Sequence, residues 1–588
     1  MAFSEIRRRP AGAPLDFAGD LHPVLRRVYA ARGVACSEDL DLSLEKLLPV
    51  STLPGVEAAV RLLAPHRDRG RILVVGDFDA DGATSSALVV RALRAMGYAH
   101  VDFLVPNRFH FGYGLTPQIV ELAAARAPTL IVTVDNGVSS VEGVEAAHVR
   151  GIPVVVTDHH LPGAVLPRAA AIVNPNLPGS RFGSCALAGV GVAFYVMAAL
   201  ARELGTAHFR AAELLDLVAL GTVADVVALD HNNRILVAQG LRRIRAGRCV
   251  PGIRALLESA GRRLEQVTPA DMGFAVAPRL NAAGRLTDMS IGIACLLTDD
   301  PLEAAALAQH LCRLNEERRE IEQRMQQEAV HIAAALRFES NGEEARGLCL
   351  FDEHWHQGVV GLVAGRIKDR LHRPVIAFAR AEDGWLRGSA RSIPGVNIRD
   401  ALDSIATRHP GLVGKFGGHA MAAGLVLDPA DLARFRAAFA AEIAGRADAS
   451  TLTGVVHSDG ELNEGEICVA TARLLRAAGP WGQGFPEPIF DGAFKVRELR
   501  VVGSKHLKLR LEPVHAADAP GAKAGARGTR GAAFPGDIDA IAFGYVGSAM
   551  EDASLCRGTP VEIAYRLEVN EFRGAESVQL NCQHLKAV

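Results

Sequence analysis

Three short apolar runs in the first 160 residues each end in a carboxylate, and this restricts the fold sharply. Ile72-Leu73-Val74-Val75 precedes Asp77-Phe78-Asp79-Ala80-Asp81-Gly82. Leu130-Ile131-Val132-Thr133-Val134 precedes Asp135-Asn136-Gly137, and Val154-Val155-Val156-Thr157 precedes Asp158-His159-His160. Runs without polar alternation, separated by helical patterns at residues 83–96 and 140–150, read as parallel strands covered on both faces. Sheets of this kind bind ligands at the carboxyl ends of their strands. Five aspartates and two histidines are therefore expected to meet at one edge.

Oxygen donors with one or two imidazoles suit Mn²⁺ or Mg²⁺ better than structural zinc. A carboxylate such as Asp135 can bridge two ions about 3.5–4 Å apart, which clamp a displacement at phosphorus and acidify a bound water. Gly82 and Gly137 allow the tight turns this needs. The first aspartate run alone also fits a calcium loop. Three clusters at successive strand ends are much harder to explain as turns and caps.

A chain of 588 residues exceeds a single core and predicts roughly three or four domains. Residues 1–50 read as a short helical segment, and 51–300 as an α/β domain whose fourth strand is Ala171-Ile172-Val173. Residues 301–338, opening on Pro301 and with no Gly or Pro break after it, form a charged helix about 50 Å long and suited to a connecting rod. A smaller α/β domain at 339–447 has strands near 347–351 and 375–378 around a helix at 359–371. Short alternating strands at 493–499, 506–511 and 560–569 mark a β-barrel at 448–588. An Ala/Gly/Lys/Arg-rich stretch at 516–536 reads as a surface loop.

The nine cysteines are scattered and form no CxxC, which fits reduced thiols in a cytoplasm. The N-terminal residues lack a signal-peptide core, and no run approaches the roughly 20 apolar residues of a membrane span. The net charge of −2 gives no bulk attraction for nucleic acid, so such binding requires a local basic surface.

These motifs, with Gly221-Thr222-Val223-Ala224-Asp225, resemble the four motifs of the DHH phosphoesterase superfamily. Pro278-Arg279-Leu280-Asn281-Ala282-Ala283-Gly284-Arg285 resembles a segment of RecJ-type exonucleases. Gly417-Gly418-His419-Ala420-Met421-Ala422-Ala423-Gly424 resembles the GGHxxAxG motif of the DHHA1 domain, and the C-terminal β region fits the family's OB-like barrel. The likeness covers nearly the whole chain. It implies a single-stranded-DNA-specific exonuclease working 5′→3′ and releasing mononucleotides, in recombination and repair. By the same resemblance Asp79, Asp81, Asp135, His159 and Asp225 are the metal ligands, with Asp77 a ligand or a supporting group. Asp158 orients an imidazole and His160 meets the scissile phosphate. Phe78 departs from the family's usual Tyr.

Substrate-holding candidates are Arg279, Asn281 and Arg285, read as a loop, with guanidinium forks that match phosphate. Ser389, Arg391, Gly418 and His419 resemble the family's pocket for the terminal phosphate. The segment Trp355-His356-Gln357-Gly358 precedes a helix and offers either phosphate-binding N–H groups or an aromatic packed into the core. Arg108 and Tyr113 offer a phosphate contact and a stacking ring beside the metals, while Lys508 and Arg510 share one face of a barrel strand. Single-strand-binding protein and a helicase are the expected partners, and the chain is expected to be a monomer. Two other readings stay open. One is a DHH phosphodiesterase of short oligonucleotides or cyclic dinucleotides; the other is an inactive DNA-binding scaffold, disfavoured because every carboxylate is present.

Overall fold

The structure is a computed structural model that describes residues 3–12, 21–107, 109, 111–339, 345–514, 536–546 and 554–588. Arg108 and nearly all of the 516–536 stretch lie outside the described residues. The chain divides into two compact units. One comprises Cys36–Arg318 with Gly479–Pro486; the other comprises Met1–Ala35, Arg319–Ala478 and Glu487–Val588.

The chain opens with strand β1 (Phe3–Arg8), followed by helix α1 (Pro23–Ala30) and 3-10 turns. An all-helical start was expected. The strand forms because β12 (Gly454–Ser458) offers a parallel edge, a long-range partner that local propensity cannot reveal.

The first unit is built on five parallel strands: β2 (Arg71–Gly76), β3 (His100–Leu104), β4 (Leu130–Val134), β5 (Val154–Thr157) and β6 (Ala171–Val173). Their spatial order is β3-β2-β4-β5-β6. One face, including Leu73, Val75, Ile131, Val154 and Val156, packs on α4 (Pro117–Ala124) and α5 (Val141–Val149). Alternate residues Ile72, Val74, Val132 and Val155 are fully buried on the other face. There lie α2 (Val56–Leu63), α3 (Ala80–Ala95) and α6 (Gly189–Glu203). Burial on both faces explains the unbroken apolar runs, each such side chain contributing about 1.5–3 kcal/mol. Helices α7 (Leu215–Ala224), α8 (His231–Arg245) and α9 (Pro251–Ser259) extend the helical layer. Strand β3 starts the winding on one side of β2, and β4 lies on its other side. The switch point between β2 and β4 is thus where Asp77 and Asp135 emerge.

A single helix, Pro301–Glu339, runs from this unit into the other, as its periodicity predicts. Beyond it, β7 (Leu348–Phe351), β8 (Val375–Arg380), β9 (Leu386–Arg391), β10 (Phe416–Gly418) and β11 (Ala422–Leu427) form a mixed sheet ordered β10-β11-β9-β8-β7. The last five strands close a barrel: β13 (Phe490–Val502), β14 (His506–Pro513), β15 (Ile538–Ala542), β17 (Ala575–Ala587) and β16 (Pro560–Phe572), in that spatial order. No single helix among the described residues is long and apolar enough to cross a membrane.

Candidate metal centre

The site grows from strand ends and helix starts. Asp77 follows β2, and its Oδ1 accepts the Phe78 N–H at 2.7 Å. Asp79 caps α3, accepting the N–H groups of Asp81 and Gly82 at 2.9 and 3.0 Å. Asp81 sits in the first turn of α3. Its two oxygens accept the N–H groups of Gly189 and Val190 at 2.6 and 3.0 Å, free donors at the start of α6. Asp135 follows β4 with φ of 61°, a left-handed conformation that costs a residue with a β-carbon about 1–3 kcal/mol. Strain of this kind is tolerated where the surroundings fix the side chain. Asp225 closes α7.

His159 Nε2 lies 3.1 Å from Asp135 Oδ1 and 3.4 Å from Asp225 Oδ2. Donor atoms converge in three overlapping groups: Asp77 with Asp79 and Asp135, Asp81 with His159 and Asp225, and Asp135 with His159 and His160. Asp135 Oδ1 is buried yet accepts no hydrogen bond. Burial, and then repulsion from Asp81 and Asp79, pushes Asp135 and Asp225 well above the usual carboxylate range. Burial and Asp79 push Asp81 up to about 7. Crowded buried carboxylates around an unsatisfied oxygen fit divalent cations, which supply the missing charge and reverse these shifts. Glycines make the room: a β-carbon at Gly189 would lie 2.6 Å from Asp135 Cβ, and one at Gly221 2.8 Å from Asp81 Oδ1.

Asp158 serves a different purpose. Its Oδ1 accepts the N–H groups of His159 and His160 at 2.7 and 3.1 Å and lies 2.7 Å from His160 Nδ1, while Oδ2 accepts the Val138 N–H. Burial alone would raise Asp158 and lower His160. Burial is the largest single influence on each. The hydrogen bond and charge attraction between them, with the Val138 N–H on Asp158 and the charges of Asp225 and Asp77 on His160, together outweigh it. They hold the carboxyl low and lift the imidazole to about 9. The imidazole Asp158 orients is therefore that of His160, which points to the metal edge as a cation. Tyr113, about half exposed, donates to Asp135 O at 3.2 Å and lies 3.3 Å from His160.

Arg279, Asn281 and Arg285 lie on the helix Ala277–Leu286, not in a loop. A π-turn (Met272–Val276) feeds this helix and absorbs Pro278 in its first turn, so Pro and Gly there do not break it. The placement changes what the residues touch. Asn281 Oδ1 accepts the Ala80 N–H at 2.8 Å, so it holds the aspartate loop. Arg279 donates to Ala275 O and to Cys312 Sγ at 2.5 and 3.1 Å. Gly284 lets the helix press on the Phe78 carbonyl, and Arg285 is partly buried on the same helix.

In the other unit, β9 carries Ser389 and Arg391, whose Nη1 donates to Ser389 Oγ at 3.0 Å. A β-carbon at Gly361 would sit 2.8 and 2.9 Å from these two side chains, which places them at the start of the helix Val360–Leu371. Register puts Ala423 opposite both Ala390 and Gly418, so Gly418 and His419 reach the same end of the sheet. Trp355 is buried and donates to Glu328 at 2.9 Å, the packing alternative. On β14, Lys508 and Arg510 do share the outer face, but both lie near Asp539, at 3.5 and 3.8 Å.

Several supporting residues escaped sequence reading. Asn174 and Asn176 donate to the carbonyls of His160 and His159 at 2.9 and 2.6 Å, fixing the loop that carries both rings. The pattern Asn174-Pro175-Asn176 directly after a strand was the available signal.

An open parallel sheet whose switch point gathers five aspartates around His159 defines a metal-dependent phosphoesterase of the DHH class. The chain matches the DHH family, N-terminal domain, over residues 71–222, the DHHA1 domain over 344–445 and the RecJ OB domain over 458–520. It is 53% identical to the single-stranded-DNA-specific exonuclease RecJ of Dickeya dadantii, over 99% of both chains. Its fold is similar to RecJ from Thermus thermophilus in complex with Mn²⁺: TM-score 0.78, 31% identity, 96% of this chain and 76% of that one. The Mg²⁺ complex gives a TM-score of 0.71 at 30% identity, covering 96% and 75%. The chain belongs to the RecJ family of single-stranded-DNA-specific exonucleases.

Proposed function

We propose that this chain is a metal-dependent exonuclease that hydrolyses single-stranded DNA from the 5′ end, releasing mononucleotides during recombination and repair. The observation that carries it is the pair of donor clusters meeting between Asp135 and His159 within a chain half identical to named RecJ exonucleases. Asp77, Asp79 and Asp135 would hold one divalent ion, and Asp81, His159 and Asp225 a second, Mn²⁺ favoured or Mg²⁺. When bound, such ions polarise the phosphate and supply hydroxide near neutral pH. The protein's own part is to keep these groups in place before substrate arrives. Asp158 holds His160 as a cation able to donate to a phosphate oxygen as charge develops there. Tyr113 spans Asp135 and His160 and presents its ring to an incoming base. Arg285 with Ser389, Arg391, Gly418 and His419 are the groups assigned to the DNA backbone and its terminal phosphate; Arg108, Lys508 and Arg510 complete that set. Polarity, a monomeric state, the cytoplasmic location and partnership with single-strand-binding protein and a helicase belong to this reading through the family likeness.

A single-stranded DNA of about 30 nucleotides, labelled at either end, tests it with Mn²⁺, with EDTA and with Asp135→Ala. Immediate release of labelled mononucleotide from the 5′ end alone, abolished by EDTA and by the substitution, is expected. Intact DNA beside efficient cleavage of dinucleotides would assign the chain to small substrates instead.

A further inference from the structure

Residues 242–263 contain seven arginines and a single acid, Glu258, in a chain whose net charge is −2. They lie at the far end of α8, on the turn after it and around α9, all within the metal-bearing unit. Arg242, Arg245, Arg248, Arg262 and Arg263 are exposed, and Arg254 is half-buried. Neutral carbonyls orient two of these groups. Arg245 donates twice to Val267 O, at 2.9 and 2.7 Å, and Arg254 to Gly247 O at 2.8 Å. Both acceptors are neutral carbonyls. Arg262 pairs with Asp271 at 3.2 Å, whereas Arg242, Arg248 and Arg254 make no ion pair among the described residues. The barrel cations offer a contrast, since Lys508 and Arg510 share the carboxylate of Asp539.

We infer that this arginine surface is a second DNA-binding site, one that holds the phosphate backbone of the substrate strand away from the scissile bond. The occupant follows from chemistry. Guanidinium forks fixed by carbonyls match phosphate oxygens, and a chain with no net positive charge needs such a patch to hold a polyanion. Gly240 of α8 packs on Leu215 and Ala219 of α7, so Arg242 lies near the start of α7. Asp225 closes the other end of α7, roughly 15 Å away at about 1.5 Å per residue, and a strand engaged at the metals needs several nucleotides to reach Arg242. The inference rests on the exonuclease reading for its ligand.

The test measures binding of a fluorescent 30-nucleotide single strand in EDTA, across a salt series, beside Mn²⁺-dependent hydrolysis of a trinucleotide. Wild type is compared with R242Q/R248Q and R242E/R248E. If each arginine meets one phosphate, the neutral pair reduces the log–log salt slope by about 1.4 and weakens low-salt binding about tenfold, with the charge reversal stronger. Trinucleotide hydrolysis stays at the wild-type rate. Unchanged slope and affinity in both variants would overturn the proposal, as would equal loss on the trinucleotide. Tight capture of a poly-glutamate peptide that DNA fails to displace would also overturn it, assigning the surface to an acidic protein. If wild type hydrolyses neither substrate while the salt-slope difference persists, the exonuclease reading fails and the binding surface stands.

Discussion

Gly189→Ala is the sharpest probe of the metal edge. Gly189 begins α6, gives its N–H to Asp81 at 2.6 Å and leaves room for Asp135. A β-carbon there would lie 2.6 Å from both Cβ and Oδ1 of Asp135, where ordinary contact begins at 3.4 Å. Relief requires about 0.8 Å of movement, either of the Asp135 carboxylate or of the helix start that holds Asp81. A displacement near 1 Å in a reacting constellation costs on the order of 10²-fold in rate. The fold itself suffers less. Overpacking costs about 1–3 kcal/mol, offset in part by the roughly 1 kcal/mol that Ala gains over Gly in a helix. Gly191→Ala, two residues on, is the control, because its β-carbon would meet only the flexible end of Leu187 at 3.1 Å. Single-turnover cleavage of 5′-labelled DNA across a Mn²⁺ titration, with thermal unfolding beside it, separates the effects. The expected outcome is a rate loss near 10²-fold and a raised Mn²⁺ midpoint in G189A, with G191A near wild type. A folded G189A whose rate and Mn²⁺ midpoint lie within threefold of wild type would refute the claim that Asp135 and Asp81 are fixed by this packing.

Asp158→Asn removes a charged hydrogen-bond partner from His160, worth about 1.5–3 kcal/mol, so cleavage should fall roughly 10–100-fold. Because Asp158 is what raises His160, the alkaline limb of the pH–rate profile should also move to lower pH; a limb that stays put would argue against a cationic role. Asn176→Asp replaces the donor facing His159 O and Cys185 O with an acceptor. Cleavage should drop at least about tenfold, whereas Asn176→Ser, able to donate once, should lose less. Arg32→Met removes the pair that now spans 2.8 Å and leaves buried Asp459 with the longer Arg9 contact at 3.7 Å. About 3–5 kcal/mol of stability should vanish from the barrel-bearing unit in chemical denaturation, with trinucleotide hydrolysis by the other unit retained at low temperature.

Much of the fold was legible because its signals are local. The β2, β4 and β5 runs show no apolar–polar alternation and, Arg71 apart, are buried at every position, which occurs when both faces of a strand are covered. The Pro301–Glu339 helix is uninterrupted by Gly or internal Pro, and the barrel strands alternate as Leu507, Leu509 and Leu511 do. What escaped depends on distant partners. Strand β1 exists because β12 lies beside it, and β3, with its exposed His100 and Asp102, carries too weak an apolar pattern to stand out at an edge. The helix Ala277–Leu286 was hidden by Pro278 and Gly284. Both are breakers in isolation, yet one sits in the first turn and the other makes room for the Phe78 carbonyl.

The site divides along the same line. Acids and imidazoles announce themselves in sequence, and Asp77, Asp79, Asp81, Asp135, His159 and Asp225 do converge. The groups that hold them are largely backbone N–H and carbonyl oxygens, which every residue possesses and no motif records. Asp81 is gripped by two amides of α6, more than 100 positions away, and the histidine loop by carbonyls that Asn174 and Asn176 capture. Asn281 shows the consequence. Its residue type and motif argued for contact with substrate, but its oxygen is committed to the Ala80 N–H, so its influence on catalysis passes through the loop bearing Asp79 and Asp81. A site of like charges needs such anchors. Buried carboxylates that repel one another would otherwise swing apart or take up protons, and amide dipoles oppose both without competing for the cation. The sequence therefore exposes the ligands of a centre like this one, while the geometry that makes them act together is encoded in where the rest of the chain places its amides.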